Sequence, residues 1–129
     1  MTQEHKDLML KDLCGRLPYG VKMNHIADNE HSPKTLIGIA KDMITSQGLS
    51  GYECVDIEHY KPYLFPLSSM TDEQREEYHN LCSIGTDECG DIIYFDTYES
   101  IDYLNKNKFD YRGLIPTGLA NDATGLNIY

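Results

Sequence analysis

Between Pro18 and Pro62 the apolar residues come in four short runs, each cut off by turn-forming residues. In 19–26, Val21, Met23 and His25 share one parity and Lys22 and Asn24 the other, with Gly20 just ahead; this is the period of a half-buried strand. Residues 35–40 form a short apolar run, 43–46 a second and 52–55 a third. The breaks are a polar stretch over 27–34 that holds Asp28, Asn29, Glu30, Ser32 and Pro33, the pair Lys41-Asp42, and Gly48-Leu49-Ser50-Gly51. A further turn is expected from Ile57 through Lys61, and Pro62 argues against an interior ladder position soon after. Short strands joined by short turns predict an antiparallel meander, curled like a small SH3 or Sm barrel.

Helical patterning flanks this region. Leu8, Met9, Leu13 and Leu17 recur near the helical period over 4–16, with Lys6, Asp7, Lys11 and Asp12 assigned to the wet side; Gly15 weakens the end and Pro18 stops it. Thr71 with Gln74 three positions on predicts a capping box, and a helix is expected to about Ser83, with Tyr78, Leu81 and Cys82 inward and Gly85 ending it. An acidic loop at 86–91 leads to a strand at 92–95. Asp96 or Thr97 then caps another helix, with Tyr98, Ile101 and Leu104 as its buried stripe and fraying over 105–108. A last helical turn is expected from Asp110, carrying Tyr111, Leu114 and Ile115 up to Pro116, with an extended arm over 121–129. No repeat or linker interrupts the 129 residues, so one domain over 1–129 is expected: α+β, with an N-terminal helix, a small antiparallel SH3/Sm-like meander and a helical C-terminal part.

Charge excludes one class of partner. Eleven Lys+Arg stand against 21 Asp+Glu, a net −10, whereas binding a duplex through its phosphates needs a basic stripe. No apolar run approaches membrane-spanning length and no signal-peptide pattern opens the sequence, so neither a membrane partner nor export is expected, and the cytoplasm is the expected location. Cys14, Cys54, Cys82 and Cys89 show no C-x-x-C spacing; reduced, buried or half-buried thiols are expected, with Cys14 and Cys82 on apolar helix faces.

Local motifs for chemistry are weak. Glu76 and His79 have the i, i+3 spacing of a metal-ligating helix, but only one such pair exists. Asp87, Glu88 and Asp91 do not follow the calcium-loop order. No G-x-S-x-G elbow is present, and Gly48-Leu49-Ser50-Gly51 has neither a lysine nor a helix to make it a phosphate loop. No metal, cofactor or catalytic residue is expected.

The three arginines carry more information. Arg75 lies among Glu73, Glu76 and Glu77 and reads as a surface ion-pair partner. Arg16 precedes Leu17-Pro18-Tyr19-Gly20, and Arg112 follows Tyr111 and precedes Gly113. A planar guanidinium beside a tyrosine can hold an anion or a base, and it can equally pair with a carboxylate and brace the fold. Arg16, Tyr19, Tyr111 and Arg112 are the candidate ligand-binding set.

Three blocks of the chain are similar to a known family. Leu10-Lys11-Asp12-Leu13-Cys14-Gly15-Arg16-Leu17-Pro18-Tyr19-Gly20-Val21 opens the chain, and Lys61-Pro62-Tyr63-Leu64-Phe65-Pro66-Leu67-Ser68-Ser69-Met70-Thr71 lies in its middle. Phe109-Asp110-Tyr111-Arg112-Gly113-Leu114-Ile115, with Gly118-Leu119-Ala120, closes it. Together they resemble a family of small proteins of phages and prophages of Bacteroides-type gut bacteria; the region 83–92 is shorter here than in the longer relatives. The family has no assigned chemistry, so the resemblance carries over no catalytic residue. It implies a setting, that of a cytosolic accessory product of a phage or mobile element, acting against host defence.

The leading expectation is a non-enzymatic, homo-oligomeric binding protein that sequesters a small anionic, nucleotide-like ligand. An acidic inhibitor docking on a host protein, with or without mimicry of DNA charge, is the alternative, and a small enzyme the third reading.

Overall fold

The computed structural model describes residues 1–27, 32–48 and 51–129. The sequence expectations for Asp28, Asn29, Glu30, Leu49 and Ser50 fall outside them. Helix α1 spans Gln3–Arg16, started by the Thr2 hydroxyl accepting from the His5 amide at 3.1 Å. A 3-10 turn at Leu17–Tyr19, with Pro18 in its first turn, ends it, and Gly20 at φ 70° turns the chain into β1, Lys22–His25. The meander follows: β2 Lys34–Ala40, β3 Met43–Gly48, β4 Gly51–Asp56 and, after a 3-10 turn at Ile57–His59, β5 Tyr60–Pro66. Lys41 supplies φ 55° to the β2–β3 turn without a glycine.

The remainder is not all helical. Helix α2 covers Asp72–Leu81 behind the Thr71–Gln74 capping box. Strands β6, Ser83–Thr86, and β7, Ile92–Phe95, form a separate antiparallel hairpin. Helix α3 covers Tyr98–Lys106, capped by Thr97. Two short strands, β8 at Phe109–Asp110 and β9 at Asn121–Asp122, both run parallel to β5.

The sheet order is β4-β3-β2-β1-β5-β8, with β9 also on β5, so β5 is an interior strand although it contains Pro62. The ladder tolerates this proline for a local reason. The Ile26 amide donates to the His59 carbonyl at 2.9 Å, and antiparallel hydrogen-bonded pairs alternate. The Met23–Pro62 pair is therefore a non-bonded one, and the proline nitrogen faces away from β1. On that other side the pairing with β9 begins only at Tyr63. Tyr60, Tyr63 and Leu64 of β5 are fully buried, and Tyr60 and Leu64 join Met9, Leu13, Val21, Met23, Leu36, Ile44, Ile57 and Leu114 in the core. Burial of such apolar surface contributes about 25 cal/mol per Å².

Several sequence expectations are corrected. Asp12 is fully buried, because Arg16 neutralises it from the next turn. Cys14 is exposed, since the inward stripe of α1 is Met9, Asp12, Leu13 and Arg16. Gly15 has a further role near the end of α1: its missing side chain lets Asn105 of α3 approach, where a Cβ would stand 3.0 Å from Nδ2. Gly85 lies in β6 rather than ending α2, and Leu81 is exposed. Tyr98 is 92 % exposed, while Ser100 and Leu104 face inward and Asn105 is buried rather than frayed. No helix starts at Asp110. Its carboxylate accepts from the Leu114 and Ile115 amides, each at 2.9 Å, and holds a non-helical turn. The 121–129 arm is tied back through β9 and through Tyr129, whose hydroxyl accepts from the Lys22 amide at 2.8 Å and donates to the Tyr63 carbonyl at 2.7 Å.

Candidate functional site

The spacing of Asp12 and Arg16 puts both on the inner face of α1, one turn apart. Arg16 Nε donates to Asp12 Oδ2 at 2.7 Å, and Nη2 donates to Asp12 Oδ1 at 3.0 Å and to the Phe109 carbonyl at 2.6 Å. Neither side chain has exposed surface. Tyr111 lies against both arginines: its ring centroid is 5.2 Å from the Arg16 Cζ and 5.1 Å from the Arg112 Cζ. Arg112 Nε stands 3.6 Å from Asp12 Oδ1, and the Tyr111 hydroxyl donates to Asn105 Oδ1 at 2.9 Å. Three of the four candidate residues, Arg16, Tyr111 and Arg112, thus meet around one carboxylate. Tyr19, half-buried in its 3-10 turn, is joined to them by no hydrogen bond or ring contact among the described residues.

The two guanidinium groups and one carboxylate leave this cluster with a positive excess. Arg112 is partly open to solvent, whereas Arg16 is sealed and holds the backbone of Phe109. Phe109 belongs to the wall of a cleft of about 430 Å³ on the outer side. The floor and sides come from Phe65 of β5, Lys106 at the end of α3, Lys108 in the turn to β8, and Tyr129. Phe65 lies 6.4 Å from Phe109 and 5.9 Å from Tyr129 between ring centroids, so three aromatic rings stand together.

Two lysines and no aspartate or glutamate side chain line this cleft, in a chain of net charge −10. Lys108 Nζ sits 5.0 Å from the Tyr129 ring centroid. Burial, and then the charges of Arg16, Lys22 and Lys106, hold the Lys108 ammonium below the usual lysine range. Burial raises the Tyr129 phenol, which stays neutral. The Lys108 backbone adopts φ 61°, the left-handed conformation that costs a side-chain-bearing residue about 1 kcal/mol and that glycine takes freely. The strain is sustained from both sides: the Lys108 amide donates to the Asn105 carbonyl at 3.2 Å and its carbonyl accepts from the Phe65 amide at 2.8 Å.

The cleft lining contains no cysteine, histidine, aspartate or glutamate, so it offers cations, amides, hydroxyls and aromatic faces for binding. Among the described residues no group of three His, Cys, Asp or Glu side chains could hold a metal ion. His79 stacks on Tyr94 at 3.9 Å, and Asp87 accepts from the Cys89 and Asp91 amides of its own turn. A second polar cluster, Lys34–Glu53–Tyr60, joins β2, β4 and β5, where both Lys34 and the Tyr60 hydroxyl bond to Glu53. Lys34 and Tyr60 together hold the Glu53 carboxyl below its usual range.

Sequence reasoning reached the arginine cluster and missed the cleft in front of it. The available signal was Lys106-Asn107-Lys108-Phe109, a helix end with no glycine where one is usual. No protein-family model, curated protein or solved structure matches the chain.

Proposed function

We propose that this chain is a non-enzymatic binding protein that sequesters a small anionic, nucleotide-like ligand in the Phe65–Lys108–Tyr129 cleft. The observation that carries this reading is the pairing of two lysines with three aromatic rings in a concavity lined by no aspartate or glutamate side chain, in an otherwise acidic chain. Anionic groups of the ligand bind Lys106 and Lys108, and its planar part lies against the rings. The Asp12–Arg16–Tyr111–Arg112 cluster supports the cleft from behind, and Arg112 is its one solvent-reaching cation. The phage setting implied by the sequence resemblance adds the purpose, which is to withdraw a signal nucleotide from host defence. The comparison of the meander with an SH3- or Sm-like curl, the cytoplasmic location and the homo-oligomeric state belong to the same reading.

Native mass spectrometry of protein purified from host lysate, followed by melting curves with a nucleotide panel, tests it. A co-purifying small anion and a raised melting temperature are expected; a ligand at a hundred times its Kd contributes about 2.7 kcal/mol. Protein that leaves the lysate empty and melts unchanged with every nucleotide overturns the reading.

The exposed carboxylates Asp72, Glu73, Glu76 and Glu77 of α2 favour the second reading, an acidic inhibitor docking on a basic host protein. That reading requires salt-sensitive capture of a host protein which Glu73→Lys and Glu76→Lys abolish.

A further inference from the structure

The β6–β7 hairpin is the least covered part of the described fold. Among the described residues it pairs with no other strand, so both of its outer edges are unladdered there. Ile84 is 68 % exposed and Ile92 64 %, and Tyr94, Phe95 and the neighbouring Tyr98 are also exposed. The pairs Ile84–Tyr94 and Thr86–Ile92 place three of these side chains on one face. A two-stranded hairpin is marginal by itself. Natural edges are blunted by charge, proline or bulges, yet Ser83–Thr86 and Ile92–Phe95 contain no charged residue and no proline, and their register is unbroken.

We infer that the hairpin is an interface for a second copy of this chain, formed by antiparallel pairing of β7 with the β7 of that copy into a four-stranded sheet. A two-fold axis normal to the sheet makes one residue meet its own equivalent. The register centred on Ile93 overlaps β7 with its copy most fully without opposing two carboxylates, and it places Ile92 against the other copy's Tyr94. Asp91 then faces Phe95 rather than a carboxylate, and the acidic turns between β6 and β7 lie at opposite ends of the joint sheet. The two copies, each at −10, thus meet along an uncharged seam. Ile92 and Tyr94 are exposed on the edge strand itself, so a second copy's β7 covers the same two side chains that it presents, while Ile84 on β6 stays outside the seam.

Sedimentation velocity of the full chain across a wide concentration series tests this. The parent is expected to pass from monomer to dimer, and Ile92→Lys to raise the dimer dissociation constant about tenfold or more with an unchanged melting curve. Should Ile92→Lys melt early, Tyr94→Lys, which lies opposite Ile92 across the same seam, is the second variant, with the same expected loss of dimer. Tyr52→Lys, on the exposed edge strand β4, is expected to dimerise like the parent. A parent that stays monomeric throughout overturns the proposal. So does a dimer that survives both seam substitutions, or one that Tyr52→Lys dissociates instead.

Discussion

The Arg16 guanidinium donates to the carbonyl of Phe109 across 93 positions of sequence, while its other bonds go to Asp12 one helical turn away. One side chain therefore joins α1 to the strand that forms the cleft wall. Arg16 Nη1 is buried with no hydrogen-bond partner among the described residues, so the fork is only partly used.

Arg16→Lys and Arg16→Ala are both expected to lower stability, by about 3–5 kcal/mol for the alanine, because each leaves Asp12 buried without its forked partner. Arg112→Ala is expected to cost no more than about 1 kcal/mol, since Arg112 is partly exposed and 3.6 Å from the carboxylate. Urea denaturation of the three variants checks this; an Arg16→Lys protein as stable as the parent contradicts the bracing role.

Lys108→Gly separates binding from folding. Relief of the left-handed strain is expected to raise stability by about 1 kcal/mol. Loss of the ammonium is expected to weaken the proposed nucleotide binding by about 1–3 kcal/mol, the worth of a charge-assisted contact. Melting curves and calorimetric titration on the same sample measure both. A glycine variant that binds like the parent removes Lys108 from the site.

Acid sensitivity is expected at Glu53. Its folded-state carboxyl is held below the ordinary glutamate value, first by Lys34 and then by Tyr60. A depressed carboxyl contributes stability that is complete above the unfolded pKa of about 4.3 and is lost as pH falls through the lower folded value. Glu53→Gln should therefore flatten the decline of stability below about pH 4.3, by no more than about 1 kcal/mol for a pair this open to solvent. Stability measured from pH 7 to pH 3 checks the sign; a decline as steep in the variant as in the parent sets the idea aside.

The two capping threonines differ in what else they hold. Thr71 caps α2 only, and its replacement by alanine is expected to cost about 1 kcal/mol. Thr97 caps α3, and its hydroxyl also donates to the Leu81 carbonyl at 2.6 Å, closing the base of the hairpin. Thr97→Ala is expected to be the more destabilising in thermal unfolding, and equal costs would show that the Leu81 bond contributes nothing.

The elements legible in the sequence were those written locally. Thr71 and Gln74 announced α2, Thr97 announced α3, and the strand at β1 was legible, although Asn24, placed on its wet parity, is buried. Burial set by distant partners was hidden. Asp12 looked wet because its neutralising partner sits one turn on and that partner's anchor lies in β8. Pro62 looked like a strand breaker because the alternation of ladder bonds that excuses it depends on β1. Tyr98 and Leu81 follow the helical period, yet the hairpin that could have covered them stands outside the main sheet. Of the site, the arginines were readable from composition, whereas the cleft needed Phe65, Lys108 and Tyr129 to come together across the sheet.

The parallel pairing of β8 and β9 with β5 has a consequence for synthesis on the ribosome. Residues 1–66 emerge with β1 to β5 complete, but the open side of β5 has no neighbour until α2, the hairpin and α3 have all been made. The bolt between β1 and β5 arrives later still, with the Tyr129 hydroxyl. A nascent chain therefore carries one open edge of β5 until residues 109–122 are made, and pairings so distant in sequence form slowly. A ribosome stalled before them leaves that edge open to whatever strand it meets first.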